Sequence, residues 1–442
     1  MLSTLNLSSN RLQGLDHAQL ENVAELTNLQ VDNNLLTSLP ESFVKLHNLN
    51  ILNVANNSFT EFPPVICNII SLSELDISFN SISSVPMEIG QLVNLKRLFL
   101  IGNQITGALP ASFKDLVCLR ELDIRQNQIS NIDVLSLVPN LEVLLTESNS
   151  VCIVNLSSSS LQQLNLSKNK LTQFSLAGKS SITDLSLAYS KLIELPEGLF
   201  EHLVSLEKLD LSYNQLTKIP SSIGQLKRLT HFLCTNNTLS ELPNEISCLT
   251  ALRGLDIHNN NLSSLPPGIW SCTSLVTLNA SSNLLEQFPM PPPSSTDKSN
   301  QLTSATLNSV RPNPPLSYSL RALYLGDNSL TTEAFSAISL FAELRILNLS
   351  FNLLDEVPTG GIANPHLTEL YLSGNSLSSL PDDIEKLTSL RILHVNGNKL
   401  QTLPAELSKI RKLVVLDVGN NALKYNIANW QYDWNWYDQF IK

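Results

Sequence analysis

The sequence predicts an α/β repeat solenoid, a stack of about eighteen units of 23–24 residues whose short strands form a parallel sheet on the concave face. Three observations predict it. Asparagine recurs at positions 10, 34, 57, 80, 103, 127, 149 and 169, then, after Ser190 stands in its place, at 214, 237, 260, 283, 328, 352, 375, 398 and 421. Leucine-type residues alternate ahead of each marker, and a proline-containing half follows most of them. Aromatics make up only 6% of the chain against an ordinary 43% apolar content, so leucine fills the core. A period of this length means that no unit can bury its own apolar face, and that each must stack on its neighbours.

The stretch Leu206 to Arg228, LEKLDLSYNQLTKIPSSIGQLKR, carries every part of the unit. Leu209 and Leu211 lie two apart and point to one face of a strand, which turns Lys208, Asp210 and Ser212 toward solvent. The Asn214 amide has both donors and an acceptor, able to satisfy turn backbone groups that water cannot reach. Ile219 and Pro220 end the descent from the strand, and Ile223 and Leu226 return along the convex side. The form LxxLxLxxNxL is that of a leucine-rich repeat, and the expected body is a horseshoe.

In chain order, residues 1–289 hold thirteen repeats, 290–318 an inserted Pro/Ser-rich loop, 319–424 five more repeats, and 425–442 a Trp-rich segment. Between Asn127 and Ser190 the spacing shrinks to 22, 20 and 21 and the prolines of the second half disappear, so a local change of curvature is expected there. The insertion, with PMPPPSSTDKSNQ and RPNPPLSYS around a polar centre, reads as a solvated loop. Because the period resumes at Leu320, the loop interrupts the sequence without dividing the solenoid. The final ALKYNIANWQYDWNWYDQFIK is expected to cap the edge left by Leu413, Leu416 and Val418. The first residues, MLSTLNLSSN, are already a repeat strand, so the chain is expected to begin inside a longer protein.

A net charge of −11 argues against nucleic acid as the main partner. The six cysteines, at 67, 118, 152, 234, 248 and 272, stand singly and read as small buried apolar residues of a reducing compartment. No charged and apolar leader opens the chain and no membrane-spanning apolar run occurs, so the expected location is cytoplasmic, with any association with the inner face of the plasma membrane indirect.

Catalysis needs converging groups, and the strand columns make convergence testable. Asp76 and Asp123 share a column two repeats apart, about 10 Å at the spacing of sheet strands, which is wide for an acid/base pair. His231 and His258 fall in different columns with no third ligand beside them. No phosphate loop, nucleophile elbow or CxxC pair is present, so no catalytic, metal or cofactor-binding residue is assigned. What the columns offer is a surface for a protein. Arg97, Phe99, Ile101 and Arg125, placed on two neighbouring strands, form a mixed basic and apolar patch that Lys168 and Lys208 extend. Tyr324, Phe351, Tyr371 and His394 form a second.

The LPxxIxxL halves at Leu39-Pro40, Leu242-Pro243, Leu265-Pro266, Leu380-Pro381 and Leu403-Pro404 resemble the intracellular, Ras-associated class of leucine-rich repeat proteins. The segment from Asn420, NNALKYNIANWQYDWNW, is similar to the end of the repeat region of fungal, Ras-responsive adenylate cyclases, its most specific part being Trp430, Tyr432, Asp433, Trp434, Asn435 and Trp436. That resemblance implies a regulatory region that binds a Ras-type GTPase, with a phosphatase-like domain and a Mg2+-dependent catalytic domain making cyclic AMP from ATP elsewhere in the polypeptide. It also implies further repeats after the tryptophans, where this chain ends in YDQFIK. The alternative is a stand-alone Ras-associated scaffold without enzymatic activity.

Overall fold

A computed structural model describes residues 2–16, 18–292 and 313–424, and divides the chain into two compact units, 1–215 and 216–442. Both are leucine-rich repeat solenoids. In the first unit, ten strands of three residues, from Thr4–Asn6 to Lys208–Asp210, pair in parallel, each with the strand of the next repeat and without a register shift. In the second, eight strands from His231–Leu233 to Val415–Asp417 do the same.

The repeat from Leu72 to Gln91 shows why. Leu75 and Ile77, two apart, are fully buried, while Glu74 and Asp76 lie outward in the strand Glu74–Asp76. Phe79 then turns the chain with φ of 52°, and Asn80 enters the core. Its Nδ2 donates to the carbonyls of Val54 (3.2 Å) and Ile77 (3.1 Å), and its Oδ1 accepts the Phe59 N–H (3.1 Å). One side chain thereby joins two repeats, and the same bonds recur at Asn103, Asn127 and Asn214. Ser190 cannot reach so far, and its buried Oγ has no partner among the described residues.

Pro86, extended at φ −72° and ψ 157°, sets up a single 3-10 turn at Met87–Gln91. A 23-residue unit that spends its length on strand, turn and proline leaves room for five helical residues, so 3-10 turns take the place of α-helices on this side in most repeats. The shortened repeats differ. There, Ile153–Leu156 pairs with Gln173–Leu176 in a separate two-stranded sheet; another such pair, Thr106–Ala108 with Gln128–Asn131, lies ahead of the 3-10 turns Ala111–Asp115 and Asp133–Leu137. In the repeats of Ile153–Leu156 and Gln173–Leu176, which lack the proline, no helical turn follows the strand among the described residues, whereas Asp133–Leu137 forms one without a proline ahead of it.

Several expectations need correction. Ser212, expected in solvent, is buried like Ser78, because the strand ends at Asp210 and the turn draws the next residue inward, its N–H donating to Asp210 Oδ1 (3.0 Å). Only Cys67, Cys234 and Cys272 are buried; Cys152 is exposed. The edges of the insertion are packed and not solvated: Phe288 is buried against Trp270 and Phe341, and Leu316–Ser319 forms a helical turn with Leu316 and Ser317 buried. Thr277–Asn279 pairs directly with Ala322–Tyr324 across it. The centre of the insertion and the Trp-rich cap, 293–312 and 425–442, lie outside the described residues. Among the described residues no helix is long and apolar enough to cross a membrane.

Candidate protein-interaction surface

The first and third residues of each strand point outward and build two columns that run across each unit, at about 4.8 Å per step. In the first unit Arg97 stands in register between Glu74 and Glu121. Its Nε donates to Glu74 Oε2 at 2.9 Å, and that bond raises the guanidinium pKa. Arg125 and Ile101 are not on strands; both sit in the turn two residues beyond one. Arg125 clamps the buried Asp123 carboxylate, Nε to Oδ1 at 2.9 Å and Nη2 to Oδ2 at 2.6 Å. Lys168 Nζ lies 2.8 Å from Glu147 Oε1 and Lys208 Nζ 3.0 Å from Asp184 Oδ1.

Every cation of the expected basic patch is therefore neutralised by a carboxylate on its own or the preceding repeat. Phe99 is half-buried between Asp76 and Asp123 in its column. Burial raises the Asp76 pKa against the opposing bonds from Ser78. This surface has little positive charge left to offer an acidic partner.

The second unit is built differently. Tyr324, Asn348, Tyr371, His394 and Asp417 share one column in register. The rings of Tyr371 and His394 lie 5.2 Å apart, and the Tyr371 hydroxyl donates to Glu369 Oε2 at 2.8 Å. Burial, with help from that bond, pushes the Tyr371 pKa up to about 12. His394 Nδ1 is 3.9 Å from Asp417 Oδ2. Phe351 belongs to the turn, at φ 56°, and is 63% exposed, its ring lying over Gly374.

The neighbouring column reads Ala322, Ile346, Glu369, Ile392 and Val415. Just ahead of these strands stand Arg321, Arg345, Thr368 and Arg391. Arg321 Nη1 pairs with Glu343 Oε2 at 3.2 Å, whereas Arg345 and Arg391 are exposed and make no ion pair among the described residues. Neither arginine, nor Ile346 or Ile392, is among the residues singled out from sequence. The signal was an arginine recurring immediately before the outward strand position, at 253, 321, 345 and 391.

His231 opens a strand while His258 sits in a turn, Nδ1 2.7 Å from Asp256 Oδ1. Among the described residues no three or more His, Cys, Asp or Glu side chains gather as a metal site would require.

These units and this surface define a protein of the leucine-rich repeat family, to which the chain belongs: the family descriptions "Leucine rich repeat" and "Leucine-rich repeat region" match residues 1–59, 70–129 and 180–239, and 320–431. Within that family it is related to the repeat regions of fungal adenylate cyclases. It is 32% identical over 392 residues to the adenylate cyclase of Schizosaccharomyces pombe, covering 86% of this chain and 23% of that protein. It is 36% identical over 219 residues to that of Podospora anserina, covering 49% of this chain and 10% of the relative. The chain thus spans less than a quarter of the length of these relatives. Among solved structures, the leucine-rich repeat protein LIC12759 of Leptospira interrogans superposes with a TM-score of 0.62 at 27% identity, over 96% of this chain and 91% of that one.

Proposed function

We propose that this chain is the regulatory, protein-binding repeat region of an adenylate cyclase, engaging a GTP-loaded Ras-type GTPase and coupling it to a catalytic domain outside the chain. The observation that carries this reading is the similarity to the S. pombe enzyme over 86% of the chain. On this reading cyclic AMP is made from ATP with Mg2+ by that other domain; the described residues hold no fitting metal cluster, and no step is assigned to them. The setting is cytoplasmic, with membrane contact through the GTPase.

The test is titration of the chain with a Ras-type GTPase in its two nucleotide states. Saturable binding of the GTP form, at least about tenfold tighter than the GDP form, is expected. No binding of either form overturns the Ras reading. A transcript that continues beyond Lys442 into a cyclase domain is the accompanying expectation, and a stop there favours a stand-alone scaffold.

A further inference from the structure

We infer that the outward face of strands 322–324 to 415–417 is a docking site for an acidic protein segment, one that carries two carboxylates on either side of a bulky apolar side chain. This rests on the protein-binding reading above and names the surface and its occupant. Three observations meet at this place.

The first is free positive charge. Arg345 and Arg391 are exposed and unpaired among the described residues, unlike Arg97, Arg125, Lys168 and Lys208, each of which is held by a carboxylate. One strand, Glu369–Tyr371, lies between theirs, so their anchoring points are two steps, about 10 Å, apart. That is the span of about three residues of extended chain. A carboxylate can form a bidentate pair with each guanidinium without first displacing a resident acid.

The second is an apolar seat between and beside them. Ile346 and Ile392 flank Glu369 in register, and Tyr371 and His394 lie in the adjoining column. The Glu369 carboxylate accepts the Tyr371 hydroxyl, which holds it against the ring and leaves both guanidiniums to an incoming carboxylate. Arginine and tyrosine at the centre of a patch are residues that concentrate binding energy.

The third is an exposed ring at the rim. Phe351 stands at the turn position where the repeats share a positive φ, as Phe79 does, and leaves 63% of its surface in solvent. An aromatic ring held in water there can cover the apolar side chain of an incoming segment.

A peptide library of about twelve randomised residues, selected against the whole chain, tests the assignment. Recovered peptides should carry Asp or Glu around a Phe, Leu or Trp. Their affinity should fall at least tenfold in the Arg345→Glu/Arg391→Glu double variant and by about tenfold in Tyr371→Ala, with unchanged melting temperature. Arg97→Glu should leave it within twofold. Basic recovered peptides, no recovered peptides, or binding indifferent to the double variant would each overturn the inference.

Titrating the same variants with the GTP-loaded GTPase separates the two readings. Peptides that bind here while the GTPase binds nowhere remove the Ras reading and leave this surface. A GTPase that binds wild type and double variant alike, with no acidic peptide recovered, removes this surface and leaves the Ras reading.

Discussion

Replacing Asn103 by alanine removes the Ile82 N–H bond to its Oδ1 and the bonds from its Nδ2 to the Ile77 and Leu100 carbonyls, all at 3.1 Å. The three losses are unequal. Ile77 O still accepts from Asn80 and Leu100 O from Asn127, so each carbonyl keeps a partner. The Ile82 amide is left with none at that site, and a buried orphan donor costs about 2 kcal/mol. With roughly 0.5 kcal/mol for each weakened carbonyl, the expected loss is about 3 kcal/mol. The natural exception supplies the converse: Ser190→Asn should recover part of that network and stabilise by about 1 kcal/mol. Urea melts followed by circular dichroism give both numbers, provided the m-values stay constant. Amide exchange at Ile82 gives a local readout, because opening there need not unfold the whole array. An Asn103→Ala midpoint indistinguishable from wild type, or a destabilised Ser190→Asn, would refute the idea that these amides hold the repeats together.

Four further outcomes are expected. Gly374→Ala drives a Cβ into the Phe351 ring at a backbone φ of 67°, and should destabilise by about 2 kcal/mol. Phe351→Ala in the same chain should relieve the clash but not the backbone strain, which a double-mutant cycle by thermal melting resolves. Arg125→Ala leaves the buried Asp123 carboxylate without its clamp and should lower stability by about 3 kcal/mol in urea melts. Native thiol labelling should modify Cys152 first, whereas Cys67 and Cys272, with thiols pushed up by burial to about 12, should stay unreactive at pH 8 until the chain unfolds. Tyr371, also raised to about 12, ionises more readily when unfolded, so its contribution is complete below the ordinary tyrosine pKa of about 10 and lost as pH climbs from there to 12; difference absorbance on Tyr371→Phe tests this.

The asparagine ladder, the buried leucines and the prolines ahead of the helical turns were legible because each follows from one repeat seen by itself. Ion pairing was harder, since its partners come from different repeats. Glu74 and Arg97, Glu147 and Lys168, and Asp184 and Lys208 lie 23, 21 and 24 residues apart, which is one period each. Scanning for cations alone finds four promising residues; scanning one period back finds the acids that cancel three of them, and Asp123, two residues back, cancels Arg125. Arg345 and Arg391 were not legible for a related reason, because they precede the strand and lie outside the two outward columns. The extended return at Ile153–Leu156 and Gln173–Leu176 was not legible, as a missing proline says what is lost and not what replaces it.

That contrast also bears on how one array can carry distinct surfaces. The same inward leucines build both units, so the outward positions vary without cost to the core, and charge at one outward position is free to be matched or left unmatched one period later. Matched pairs on an exposed face contribute at most about 1 kcal/mol to folding. They set specificity instead, because a partner must exchange an existing contact for a new one of similar strength. In the first unit Arg97 and Lys208 have lost most of their appeal to an acidic partner in this way. In the second, Thr368 stands between Arg345 and Arg391 where an acid would have silenced both, and so the two guanidiniums remain available to a partner's carboxylates.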